Sequence, residues 1–187
     1  MANESTTWVA DPFHTQIGFS VTHLGLSRVE GMFRAFSIRA ELPLNEDWAE
    51  AKITAEVQIN SLDTENAKRD AHLRSRDFFD AHAFPTLALT ATGVSFDGEN
   101  ATVVATMRIR DVSLPVTFTG AYGGKTVGMY GETRHGFTFH AEIDRFAFGL
   151  KWNQLTELGG VMVGREVALT LHLELITEAF LAQMMAG

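Results

Sequence analysis

Eight stretches of this chain repeat an apolar residue at every second position, most of them against polar or small residues, and a period of two is what a β-strand with one dry face requires. Residues 16–22 place Ile17, Phe19 and Val21 against Gly18 and Ser20. Residues 53–60 place Ile53, Ala55, Val57 and Ile59 against Thr54, Glu56, Gln58 and Asn60. The same pattern runs through 36–42, 87–91, 103–109, 116–122, 137–143 and 167–175. Eight such strands joined mainly by short turns predict an all-β fold, an eight-stranded antiparallel up-and-down barrel, because closure removes the exposed edges that an open sheet keeps. Asp97-Gly98-Glu99-Asn100 reads as a hairpin turn, and the pair Gly123-Gly124 as another turn.

One segment does not alternate. Residues 61–85 contain Asp63 or Thr64 as a helix start, and the acid-before-base pairs Glu65 with Arg69 and Asp70 with Arg74 lie four apart. They predict a helical cap over about 63–84, inserted between strands 3 and 4, with Pro85 releasing the chain into the next strand. At the other end, residues 178–187 carry Phe180, Leu181, Met184 and Met185, a short amphipathic tail expected to pack on the barrel wall.

At 187 residues the chain suits one domain, 1–187. A formal charge of −8 argues against nucleic acid as a partner and against attraction to anionic surfaces. No cysteine is present, which excludes disulfides and thiolate chemistry. The opening MANESTT lacks the basic and apolar regions of a secretory leader, and no run is long enough for a spanning helix, so the expectation is a cytoplasmic protein with no stable membrane insertion.

A barrel of eight strands has an interior that either fills with side chains or holds one small ligand. Alanine recurs in the apolar phase at Ala40, Ala55, Ala91, Ala105 and Ala141, where a filled core favours larger residues, and this points to a hollow interior. The alternative is that some of the fourteen phenylalanines grow into that space. The candidate ligand-binding residues are Phe19, Val21, Phe36, Ile38, Ala55, Val57, Ala91, Ala105, Met107, Phe118, Phe137 and Phe139, with Leu73, Phe78 and Trp152 closing the mouth. His23 shares the face of Phe19 and Val21 and is placed to meet a ligand's polar end.

Several blocks resemble the YceI-like polyisoprenoid-binding proteins. They are Trp8, Asp11 and His14; Phe19, Val21 and His23-Leu24-Gly25; Gly31 and Phe33; Arg69-Asp70, His72-Leu73-Arg74-Ser75, Asp77-Phe78-Phe79-Asp80 and Phe84-Pro85; then Gly136-Phe137, Asp144-Arg145, Phe148-Gly149, Val163-Gly164 and Glu166-Val167. The resemblance implies a lipocalin-like barrel that binds, transports or stores a long isoprenoid or similar lipid, an isoprenoid quinone among them, often as a homodimer. It implies no required cofactor beyond the bound lipid. The chain departs from the family at Arg165, where an acid is more usual.

Catalytic and metal chemistry find little footing. His135 and His140 lie five apart on one strand and so face opposite sides, and no HExxH, GxSxG or phosphate-cradling loop is present. The expectation is a protein with no catalytic residues and no metal. The alternative is an enzyme acting on a lipid-like substrate at the barrel mouth, using His23 or His14 with Asp11 or Asp70 as acid and base. A third reading is a filled barrel whose C-terminal tail makes a partner contact.

Overall fold

The computed structural model describes residues 5–155 and 160–186. The first four residues of the opening segment read for a leader lie outside them, as does residue 187. In chain order the strands are β1 (Ser5–Ala10), β2 (Gln16–His23), β3 (Ser27–Phe33), β4 (Phe36–Pro43), β5 (Lys52–Gln58) and β6 (Leu62–Asp63). Helix α1 (Ala67–Arg74) follows, then β7 (Thr86–Thr92), β8 (Ser95–Asp97), β9 (Asn100–Ile109), β10 (Val112–Val127), β11 (Thr133–Asp144) and β12 (Val163–Thr177), with helix α2 (Glu178–Ala186) last.

Eight of these strands close on themselves in the order β1-β4-β5-β7-β9-β10-β11-β12, with β12 returning to β1, and all their pairings are antiparallel. The expected eight-stranded barrel is therefore the architecture. β12 spans 15 residues, enough to pair with β1 near its C-terminal end (Ala10 opposite Leu175) and with β2 further back (Leu169 opposite Phe19). β2 and β3 form a hairpin that extends the wall upward at one end of the barrel, and β6 adds to its edge at Phe33.

The alternation missed β1, β3, β6 and β8, and the stretch 16–22 that it counted among the eight is β2, outside the closed ring, where β1 takes its place. β3 reads as a bend because Gly31 occupies one of its inward positions. The ring of Phe19 lies there: a Cβ on Gly31 would sit 2.4 Å from Phe19 Cζ and 2.7 Å from the Thr64 methyl. The Gly123-Gly124 pair makes no turn either. It lies within β10, where the register against β11 shifts between Tyr122 and Gly124 and Gly124 takes a positive φ, the signs of a bulge. The Asp97–Asn100 hairpin forms as expected, pairing β8 with β9 around Gly98 at φ 62°.

The helical cap over 63–84 between strands 3 and 4 requires correction: the helices lie after β5 and at the C-terminus. α1 has eight residues, and turns occupy most of the segment from there to β7. Asp63 pairs in β6 and Glu65 sits at φ 61°, so the helix starts later, at Asn66, whose side chain accepts from the Arg69 N–H at 3.1 Å. The two expected ion pairs do not form. Asp70 is buried and accepts from the Thr64 N–H at 3.0 Å, while Arg69 donates to the Thr64 hydroxyl and carbonyl and Arg74 donates to the Leu62 carbonyl. α1 is thus held by the β6 edge rather than by charges along its own face. α2 packs against β1 and β12, with an ion pair from Glu178 to Arg39.

Candidate functional site

The closed sheet encloses a cavity of about 210 Å³. Ile17, Phe19 and Val21 line it from β2, Ala40 and Ile38 from β4, Ala55 and Val57 from β5, Met107 from β9, Phe118 from β10, and Phe137 and Phe139 from β11. Each belongs to the inward phase of its strand. Apart from Arg145, Thr170 and the indole of Trp48, the lining side chains carry no nitrogen or oxygen. A space so poor in hydrogen-bond partners holds water badly and suits hydrocarbon.

One end, the floor, is plugged by rings. Trp48 packs edge-on against Phe137 at 5.0 Å and His135 at 5.2 Å, and Trp8 meets His135 at 4.4 Å on its other side. The Tyr122 hydroxyl lies 2.8 Å from His135 Nδ1. Burial pushes the His135 pKa below its ordinary value, which favours the neutral ring.

Arg134, the next residue along β11, faces the outer side of the same wall. Its guanidinium donates to Asp11 at 2.6 Å, Glu132 at 2.8 Å and Glu174 at 2.9 Å. Burial alone would raise the Asp11 pKa, but the hydrogen bonds from Arg134, His14 and the Phe13 N–H outweigh it and hold the carboxyl below its usual range. Asp11, His14 and Glu174 bring three potential metal ligands together. The Arg134 guanidinium, bonded to both carboxylates, already stands where a cation would.

The other end is the mouth. Leu73 of α1 and Phe78 and Phe79 from the following turns reach over the cavity. Trp152 stands on the outer side of Phe78, 5.3 Å between ring centres, and 4.6 Å from the ring of His72. Arg145 is the most unusual group here, a nearly fully buried cation with no carboxylate in contact among the described residues. It donates instead to four carbonyls, of Gly164 at 2.7 Å, Leu150 at 2.5 Å, Trp152 at 2.9 Å and Val163 at 3.1 Å, and so clasps both ends of the connection between β11 and β12. The rings of Phe78 and Phe146 lie beside its guanidinium. The neighbouring carboxylate, Asp144, is taken by Arg165 in two bonds of 2.9 and 2.5 Å, which hold it at a pKa of about 2. The charge change at Arg165 is thereby absorbed locally.

The profile of the YceI-like domain matches residues 8–175. The chain belongs to the YceI-like family. It is 32% identical over 163 residues to a UPF0312 protein of Staphylococcus aureus, covering 87% of this chain and 92% of that one. A UPF0312 protein of Staphylococcus epidermidis is 34% identical over 158 residues, covering 84% and 90%. Among solved structures, the Campylobacter jejuni YCEI protein superposes with a TM-score of 0.69 at 27% identity, covering 83% of this chain and 88% of that one. BcnA of Burkholderia cenocepacia gives 0.75 at 17%, covering 88% and 98%. A polyisoprenoid binding domain from Saccharophagus degradans gives 0.66 at 12%, covering 92% and 99%. The homodimer expected from the resemblance gains no support from these comparisons.

In this YceI-like barrel the expected lining residues separate into two groups. Phe19, Val21, Ile38, Ala55, Val57, Leu73, Phe78, Met107, Phe118, Phe137 and Phe139 border the cavity. Five do not. Ala91 and Ala105 face each other across the β7–β9 pair and are too short to reach the centre. Phe36 packs between the two apolar clusters, and His23 lies at the end of β2, beyond the cavity and opposite Ser27. Trp152 backs Phe78 from outside. The pairing of alanine with open space therefore holds at Ala40 and Ala55, while Ala91, Ala105 and Ala141 are packed into the core.

Leu169 and Leu171 also line the cavity and were readable from the alternation of β12, whereas Trp48 sits in a 3-10 turn without a period to reveal it. The acid–base group expected at the mouth is not assembled there. Asp70 is bonded to Thr64, and Asp11 and His14 lie with Arg134 on the outer wall.

Proposed function

We propose that this YceI-like protein binds a long apolar chain molecule, an isoprenoid or similar lipid, inside the barrel, and carries or stores it without converting it. The observation that carries the reading is the hydrocarbon-lined cavity, shut at the floor by Trp8, Trp48 and His135 and covered at the mouth, among the described residues, by turns and one short helix. The driving force is removal of chain carbons from water, about 0.8 kcal/mol per buried CH2, so affinity grows with chain length until the space is full. The Saccharophagus degradans neighbour, a polyisoprenoid binding domain, supports the reading at the level of fold.

Native mass spectrometry of protein purified without detergent from its own host tests this. A copurifying lipid adduct is expected, along with uptake of added isoprenoid quinones. Substituting Ala55→Phe fills the cavity from β5 and lowers affinity for a saturating chain by about tenfold, the equivalent of ~1.4 kcal/mol or two lost methylenes. A protein that carries no lipid and takes up none would refute the proposal.

A further inference from the structure

Four buried side-chain nitrogens have no hydrogen-bond partner among the described residues. Two are the Nε atoms of Arg74 and Arg110, whose guanidiniums are bonded through their terminal nitrogens. The other two are Nε2 of His135 and Nε1 of Trp8, and they are neighbours in the floor. Their residues are 1% and 2% exposed, and the ring centres are 4.4 Å apart. A buried donor without a partner is costly, and two in one place call for an acceptor.

The hydrogens follow from the chemistry of the contacts. The Tyr122 hydroxyl lies 2.8 Å from His135 Nδ1 and has no other hydrogen-bond partner among the described residues. A phenol donates better than an imidazole, and an imidazole nitrogen accepts better than a phenol oxygen. Tyr122 therefore donates to Nδ1, and the neutral ring carries its hydrogen on Nε2. Both unpaired nitrogens are then donors, an imidazole N–H beside an indole N–H. The charged groups that act on His135, Glu46 and Lys125, are paired with each other at 2.6 Å nearer the surface, so the floor offers hydrogens without a free counter-charge. The cavity extends to this layer. Trp8 stands opposite Ala40 and His135 opposite Leu175, and Ala40, Leu175 and Trp48 all border the cavity. On β4 the inward residues on either side of Ala40 are Ile38 and Leu42, so a single methyl stands beside Trp8 where the adjacent layers carry branched chains.

We infer that Trp8 and His135 form a receiving site for a carbonyl oxygen at the leading end of a neutral lipid, which enters the barrel oxygen first and leaves its tail toward the mouth. The inference rests on the carrier reading above and adds to it the chemistry of the ligand's end and the direction of entry. A carbonyl oxygen has two lone pairs and no hydrogen of its own, which matches two donors. A hydroxyl brings a hydrogen that needs an acceptor in turn. A carboxylate or a diphosphate would give up its hydration where no cation meets it.

Titration of the full chain with three ligands of one isoprenoid skeleton tests this: farnesylacetone, the hydrocarbon that lacks its oxygen, and the carboxylic acid of the same chain length in its ionised form. The ketone should bind about tenfold tighter than the hydrocarbon, and at least about tenfold tighter than the acid. In Trp8→Phe and in His135→Phe the ratio of ketone to hydrocarbon affinity should fall to about threefold or less. The ratio separates the lost donor from lost packing, which weakens both ligands alike. A second measurement needs no variant. With an isotope-labelled carbonyl, the infrared stretch of the bound ketone should lie below its value in hexane, as it does when the oxygen accepts hydrogen bonds. Equal affinity for ketone and hydrocarbon, a ratio unchanged in both variants, an acid bound as tightly as the ketone, or a bound carbonyl at its hexane frequency would overturn the inference. Uptake of the hydrocarbon without preference for the ketone breaks this inference and leaves the carrier reading standing, whereas uptake of none of the three breaks the carrier reading and this one with it.

Discussion

Arg134 and Arg145 are both nearly buried arginines on or beside β11, one at the floor and one at the mouth, and they are neutralised in opposite ways. Arg134 is clamped by three carboxylates, Asp11, Glu132 and Glu174, which raise its pKa although burial alone would lower it. Arg145 is met by four backbone carbonyls, and desolvation lowers its pKa, countered in part by the charge of Asp144. Fixed full charges make the floor a rigid seal. Carbonyl dipoles stabilise a cation only while the loop that bears them keeps its shape, so at the mouth the cation and the loop order each other.

Removing the floor cation should have the largest effect. Arg134→Met leaves Asp11, which has no exposed surface, and Glu132 without a counter-charge, and breaking a buried pair in this way destabilises by about 3 kcal/mol or more. Urea unfolding measures it, and a loss below half that figure would mean that His14 and water suffice to hold the carboxylates.

Arg145→Lys keeps the charge and loses the fork. An ammonium with three donors cannot span four carbonyls, so a loss of about 1–2 kcal/mol is expected, confined to the mouth. Hydrogen exchange should quicken at 145–155 and 160–164 and stay unchanged in β1 and at the base of β11. Uniform acceleration would show that the two ends are not independent.

The smallest effect is a pH dependence at the floor. Burial keeps His135 neutral in the folded chain, so its folded pKa lies below the ordinary 6.5 that holds on unfolding. Below 6.5 the unfolded chain binds a proton that the folded chain refuses. Stability is therefore full above 6.5 and falls as pH descends toward the depressed folded value. The midpoint followed by tryptophan fluorescence should fall over that window, and His135→Gln should flatten the dependence. A midpoint that rises as pH drops would contradict a buried neutral ring.

The barrel was legible because alternation is written in side chains, and β5, β9 and β12 announce their inward faces residue by residue. β3 was not, since the residue at one inward position, Gly31, has no side chain and its space is filled from β2 by Phe19. The cavity walls followed from the same phase, but phase gives a direction and not a reach, which is why Ala91 and Ala105 fell short while Ala55 did not. The floor network could not be read. Arg134 stands 123 positions from Asp11 and 40 from Glu174, and only the register that sets Arg134 opposite Ile176 and Ala10 opposite Leu175 brings them together. The clasp at Arg145 was further hidden, because all four of its partners are carbonyl oxygens, which every residue has and no sequence pattern marks.

The pairing of β12 with both β1 and β2 has a consequence for biogenesis. β1 and β2 each find one neighbour only in β12, which begins at Val163, 140 residues beyond His23 at the end of β2, so ring closure waits until β12 has been made. Until then the nascent chain presents the greasy inner surface of β2, β4 and β5 along an unsatisfied edge, which makes this stage the most exposed to aggregation and the one where a holding chaperone acts with most effect.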